Sequence, residues 1–451
     1  MHRNPKGIAT FMTVMTVVMA ANLSWVYAAS ATPPAPAGIS WEDPVTLAEG
    51  AGVRGPWRMN DSDFQYVDDP TVAMNAAGWI AVAWADQAEQ DLFFQLYDPQ
   101  GEAVHESPVR LSRSPGTFSW LPRLVLDDRD PPSIHALWQE IVFSGVSHGG
   151  EIFHARSRDG GESFSEPANL SRTEAGAGKG RTSRNAWQNG SLDLIRDEQG
   201  HLHVAWTEYE GPLRYARSTD DGESFSDPVH VAGDQQSPAR GPALADRGEG
   251  VLLAWAEGED PEGTLRFAHL QEEQATAPAT AVSSEGHLDA PGLATDTQGR
   301  THLVFAAAPT GPAGSREIRH AELGPEDEAF SPTQTVSAPA PHKTFDRAHY
   351  PEIALDGRDR AVILWELFPE DWQRPLALGL SYREDRQAAF NEPIEVPGTG
   401  DPEAGIQGSL QGLFMRKLAV NESGRIAVVN ATFRPHEASR VTLLRGRFET
   451  D

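Results

Sequence analysis

Apolar residues in this chain fall in short runs of four to eight, each bounded by Gly, Asp or Pro, and the runs come in sets of four. The clearest set reads LDLIRDEQG, HLHVAWTE, PLRYARSTDDG and ESFSDPVHVAG, from residue 192 to residue 233. Runs this short, rich in Val, Leu, Ile and aromatics and closed by turn-forming residues, predict antiparallel strands, four to a unit.

The unit recurs along the chain. Its first strand opens at Pro70, Pro122, Leu192, Pro242, Pro291, Pro351 and Lys417, which makes seven copies. The second strand ends at Trp84, Trp138, Trp206, Trp255, Phe305, Trp365 and, weakly, Asn430. A large ring repeated at one position is core packing between neighbouring sheets, and apolar residues on both faces of a strand fit a sheet covered on both sides. Four-stranded sheets repeated at this spacing predict an all-β fold, a β-propeller of seven four-stranded blades. The last unit stops after RVTLLRGRF with three strands. Ile39 to Gly50, ISWEDPVTLAEG, resembles the outer strand ESFSDPVHVAG and has no strands of its own before it. It is expected to complete the final blade and so remove an open edge.

Two near-identical stretches stand out, SRDGGESFSEP from Ser157 and STDDGESFSDP from Ser218. Their common pattern, Ser-x-Asp-x-Gly-x-Ser-Phe, resembles the Asp-box, or BNR repeat, of the sialidase superfamily. Asp385 and Phe390 keep part of it in unit six, and Phe330 keeps the aromatic in unit five. The chemistry of the box is that of a turn. Asp159 and Asp220 can accept backbone N–H bonds, Gly161 and Gly222 can take a positive φ, and Phe164 and Phe225 can drop into the core. Ser157, Asp159, Gly161, Phe164, Ser218, Asp220, Gly222 and Phe225 are therefore structural. The resemblance implies that these boxes lie away from the working face. It also implies an arginine in a Phe/Tyr-Arg-Ile-Pro motif at the first inner strand, but the matching residues are Asp68-Asp69-Pro70. Arg123 and Arg416 are the nearest positional counterparts. Glu208-Tyr209 offers the family's pairing of tyrosine with glutamate. With that arginine missing, ordinary sialidase activity is not expected.

Composition narrows the partners. The formal charge is −28 and there is no cysteine, so disulfides and thiolate metal sites are excluded. So acidic a chain repels nucleic acid and anionic membranes. Arg3 and Lys6 precede an apolar stretch from Ile8 to Val26, and Val26-Tyr27-Ala28 resembles a cleavage site. Residues 1–28 read as an export signal, which leaves an extracytoplasmic protein, secreted or periplasmic, without stable membrane insertion. An uncleaved anchor is the rival reading. Residues 29–38 read as a Pro/Ala-rich linker, and 39–451 as a single propeller.

The expected working surface is the propeller mouth, built by loops that leave the second strands. An acid follows the second-strand ring by two residues at Asp86, Glu140, Glu208 and Glu257, and by one at Glu366. Two steps along a strand keep the same face, so Asp86, Glu140 and Glu208, with Tyr209, are the candidate catalytic groups. The connection from Arg172 to Ser191 carries Lys179, Arg181 and Arg184 against a single glutamate, unexpected in so acidic a chain. Arg181 and Arg184 are candidate clamps for a glycan acid, with Arg416. Trp57, Trp120, Trp187, Tyr350 and Trp372 are either sugar platforms or plugs between blades. His349 is the one histidine placed for the mouth, whereas His135, His203 and His302 share one core position. No metal-ligand spacing appears and no cofactor is expected, with a Ca²⁺ ion among the mouth carboxylates kept as an alternative. Two readings follow. The chain is a glycan-processing enzyme of hydrolase or lyase type, or a non-catalytic propeller that binds a glycan, another ligand or a protein partner.

Overall fold

The computed structural model describes residues 38–449 apart from 59–61, 114–116, 142–149, 261, 283–285, 310–315, 339, 342–344, 370–373, 401–404, 409 and 411–413. The stretches read as an export signal (residues 1–28) and, nearly all of it, as a linker (residues 29–38) lie outside the described residues, as does Trp372. The described residues are all-β, with seven small antiparallel sheets in a ring. Six blades follow the pattern inner, second, third, outer strand in chain order, as in Leu192–Arg196, Leu202–Thr207, Leu213–Ser218 and Val229–Ala232. Inner strands contact one another in sequence, and the last, Leu418–Val420, meets the first, Val67–Met74.

The ring closes where the pattern placed it. Val45–Gly50 and Ile39–Trp41 both pair antiparallel with Ala438–Phe448, for example Val45 with Leu443 and Ile39 with Phe448. The second-strand rings Trp84, Trp138, Trp206, Trp255, Phe305 and Trp365 are all at most 2% exposed. Indoles and phenyls of this size dominate the burial that holds neighbouring blades together.

The box turns have the expected chemistry. Ser163 N–H donates to Asp159 Oδ1 at 3.0 Å and Ser224 N–H to Asp220 Oδ1 at 3.0 Å. Gly161 and Gly222 sit at φ 85° and 72°. Hydrogen bonds from Ser224 and Ser218 outweigh the small desolvation of Asp220 and bring its carboxyl down to about 2. The box aromatic, however, does not fill its own blade. Phe164 meets Phe94 of the preceding blade edge-on at 5.2 Å, and Phe225 meets His154 at 4.9 Å. Phe330 on Phe267 (5.4 Å) and Phe390 on His320 (5.3 Å) repeat the contact where the rest of the motif has decayed. The aromatic is a rivet between blades, which explains why it outlives its turn.

Candidate functional site

At the opposite face the inner strands share a distortion. Asp69, Leu121, Gly241, Ala290 and Tyr350 all have φ between 50° and 61°, and each stands immediately before a proline. In each of these blades the pairing of inner and second strand shifts register at or beside that step. A left-handed residue with a side chain costs roughly 1–3 kcal/mol, so four such residues aligned with Gly241 mark a constraint built into the fold. The bulge re-aims the residues around it. The residue before it is Asp68, Trp120, Arg240, Asp289 or His349 according to blade, and each is at most 5% exposed. In sequence this position is legible only as the second residue before each inner-strand proline. It is also the position where the family resemblance calls for arginine: Asp68 holds it in blade one and Arg240 in blade four.

Three of these residues meet at one side of the mouth. Arg240 Nε donates to Asp289 Oδ1 at 2.9 Å, and His349 Nε2 lies 3.8 Å from Asp289 Oδ2. His287 Nε2 stands 2.9 Å from Asp260 Oδ1. Against the cost of burial, Arg240, His287 and His349 hold the Asp289 carboxyl far below the usual range. Burial, reinforced by Arg316, drives the His349 imidazole well below its ordinary value, so it is neutral at pH 7. Arg316 Nη1 reaches both its ring nitrogens, at 3.0 and 2.8 Å. Because Tyr350 is left-handed, its ring does not cross to the other face of the strand but lies 3.8 Å from the His349 ring. Burial raises the Tyr350 phenol, keeping it protonated. Its hydroxyl accepts from Gln188 Nε2 at 2.9 Å, and Phe414 closes the site edge-on at 5.3 Å.

Gln188 belongs to the basic connection, which folds as a hairpin of Lys179–Ser183 and Ala186–Asn189. It packs toward the axis, where Thr182 O accepts from Asp260 N–H at 2.8 Å. Arg181 is spent on Glu259 (3.1 Å) and the Gln235 carbonyl. Arg184 is exposed at the hairpin turn, and Trp187 beside it is 43% exposed. Lys179 lies 4.9 Å over the Tyr209 ring, its ammonium pKa lowered by burial. Across the mouth, Arg374 is buried enough to be lowered, and more so by Arg54 nearby.

The other expected residues are dispersed. Glu140 is 3% exposed and accepts from Trp138 Nε1 (2.9 Å), Ser119 Oγ (2.7 Å) and Thr117. Trp255 and Glu257 repeat the indole–carboxylate pair at 3.3 Å. In these two blades the acid two residues past the ring holds its own ring in place, a structural use of the same-face geometry. Glu208 takes Arg214 on both oxygens, at 3.1 and 3.3 Å. Tyr209 has its hydroxyl buried without a partner among the described residues, and burial raises its pKa. Asp86 caps its own turn through Ala88 and Glu89 N–H and lines a separate groove at the rim. Arg416 forms a two-point pair with Asp193 at 3.2 and 2.6 Å on the axis, beside a cavity of about 30 Å³ that Arg123 and Glu352 also line. Trp120 is a plug, 5% exposed, whereas Trp57 at 42% stands out in solvent.

Among the described residues two groups have ligand-like spacing, Asp260–His287–Asp289 and His302–His320–Glu322. In the first, Arg240 already neutralises the carboxylates, and Gly263 N–H donates to His287 Nδ1 at 3.1 Å, which leaves the proton on Nε2. In the second, Arg383 occupies Glu322 and contacts His302 Nδ1 at 3.2 Å. Each set is built around a guanidinium, which is the wrong charge beside a cation.

No protein-family model and no curated protein matches the chain. Among solved structures, polysaccharide lyase Uly1 superposes with TM-score 0.53 at 8% identity, over 90% of this chain and 99% of that one. An ulvan lyase of family PL25, bound to -[GlcA(1-4)Rha3S]-, gives 0.52 at 13% identity over 88% and 95%. A Hadza microbial sialidase gives 0.46 at 13% identity over 67% and 63%. Likeness at this identity is likeness of fold.

Proposed function

We propose that the chain is an extracytoplasmic polysaccharide lyase that cleaves next to a uronate at the mouth. The observation that carries this reading is the left-handed step at Tyr350. It sets two rings of complementary protonation, a neutral imidazole and a protonated phenol, side by side under Arg316. In a chain of charge −28, the arginines at the mouth, Arg316, Arg374, Arg54 and Arg184, favour an anionic glycan.

The chemistry balances without an added reagent. Arg316 holds the uronate carboxylate and makes the C5 proton more acidic. His349 accepts that proton, and Asp289 stabilises the imidazolium that results. The C4–O bond breaks, its electrons leave with the oxygen, and Tyr350 supplies the proton that oxygen needs. A C4–C5 double bond remains on one product. Acceptor and donor stand on one side of the ring, so H5 and O4 must share a face. That is the gluco configuration, and a galacturonan presents them on opposite faces. The two lyases of like fold agree with this reading, as does the GlcA-containing ligand bound to one of them.

The test is incubation with a glucuronate-containing polysaccharide and with polygalacturonate, followed through the ultraviolet absorbance of the new double bond. Absorbance should rise with the first alone and vanish in Tyr350→Phe. A galacturonan-only product, or a Tyr350→Phe enzyme of full activity, would sink the assignment. The second reading, binding without turnover, rests on Trp187, whose exposed ring on the mouth hairpin suits a sugar face. Retention of the glycan without any unsaturated product would favour it.

A further inference from the structure

A second groove lies off the axis, between the outer strand of the closing blade and the mouth loops of the first. It has a volume of about 370 Å³, within the range of ~300–1,000 Å³ usual for ligand sites. Its walls include Glu49, Asp63, Gln65, Asp86 and Gln87, and no Lys, Arg or His is among its lining residues. The mouth gathers arginines, whereas this groove is acidic and amide-lined.

Two features point to an occupant. Gln87 is 1% exposed, and its Oε1 is engaged by Trp120 Nε1 at 2.8 Å. Its Nε2 is buried and has no hydrogen-bond partner among the described residues. A buried amide donor left unsatisfied is destabilising, and a ligand acceptor relieves that penalty. Next to Phe64, which lines the groove, lies Trp57, 42% exposed. It is held 5.4–5.6 Å from Phe64, Phe118 and Trp120, so an outward-facing indole is braced from behind by three rings. An exposed, rigid aromatic beside converging amides and carboxylates matches a sugar ring, apolar on one face and hydroxylated at its edge.

We propose that this groove is a second carbohydrate site, specific for neutral, hydroxyl-rich sugars. Trp57 stacks on the ring, and Gln87, Gln65 and Asp86 take the hydroxyls. Uronates and sulfated sugars are excluded by the carboxylate walls. The site tethers the protein to neutral stretches of a glycan or to a neutral companion polymer, and it stands whether or not the mouth performs elimination.

The test uses the Tyr350→Phe protein, so that binding is read free of turnover. Native gels are cast with xylan, galactomannan or dextran, with polygalacturonate as the anionic control. At least one neutral polymer should retard the protein. Trp57→Ala should weaken that retardation about tenfold and Trp57→Phe should restore most of it, both read well below the melting temperature, which Trp57→Ala lowers through its lost ring contacts. Unretarded migration in all three neutral gels, or equal retardation of Trp57→Ala, would overturn the proposal. So would retardation by polygalacturonate that depends on Trp57.

Discussion

At the Asp-box face, Ser157 donates to Asp159 at 2.7 Å and Ser218 to Asp220 at 2.8 Å, and Gly161 and Gly222 return N–H bonds at 2.8 and 2.9 Å. The same residues make the same bonds in two blades. At the mouth face five blades repeat a backbone step, the left-handed residue before proline, but the residue in front of it changes from Asp68 to Trp120, Arg240, Asp289 and His349. Repetition of residues builds the frame. Repetition of backbone with varied residues builds a socket that can be filled differently in each blade. The chemistry we propose belongs to the second kind of position, because there unlike side chains such as Arg240, Asp289 and His349 converge.

The contrast is broken most severely at Tyr350. Loss of its phenol in Tyr350→Phe should lower turnover by about 10²–10⁴, the range of one acid–base group, and leave the melting temperature within a degree or so of the parent. A large drop in stability would make Tyr350 a frame residue instead.

Next comes the pH response of the frame. Burial, opposed in part by Asp221, lowers His135 to about 4, so it is neutral in the folded chain at pH 6.5. An unfolded chain takes up the proton first, so stability present above pH 6.5 is lost as pH falls toward 4, by about 3 kcal/mol for a shift of this size. Asp68, raised to about 6, and Glu352, raised to about 7, act in the opposite sense over much of that window, since burial favours their protonated forms. The comparison is therefore made against His135→Gln by chemical denaturation. The stability gap between parent and variant should narrow as pH falls from 6.5 to 4, and a constant gap would contradict the assignment.

Glu140 sharpens the comparison, because it sits at the mouth end of its blade yet belongs to the frame. Glu140→Leu strands the donors of Trp138 and Ser119, which costs about 1–3 kcal/mol, and should leave kcat on a glucuronate glycan unchanged in the folded fraction. The smallest effect is expected at the turns. Asp159→Ala or Asp220→Ala each removes a cap-like bond and should cost about 1 kcal/mol with no change in turnover.

Much of the frame was legible because it repeats. The ring residues from Trp84 to Trp365, the seven units and the closing strand from Ile39 all follow from periodicity and from the need to leave no open edge. The mouth was harder to read. Spacing alone pointed Glu140 and Glu208 toward the mouth from one strand face, but an indole and a guanidinium meet their carboxylates. Arg240, Asp289, His287 and Arg316 carry no local motif, since they come from successive blades and converge only when the ring closes. His349 and Tyr350 were visible as residues but not as a pair, because period-two alternation assigns neighbours to opposite faces.

The sequence by itself determined the all-β class, the blade repeat, the box turns and the joining of the two ends, because each follows from local pattern and edge satisfaction. Tertiary structure alone decided which charges neutralise one another and which rings face solvent. It also turned His349 and Tyr350 to the same side. Those outcomes depend on a register shift at a strained residue and on contacts between blades far apart in the chain, and neither leaves a periodic trace.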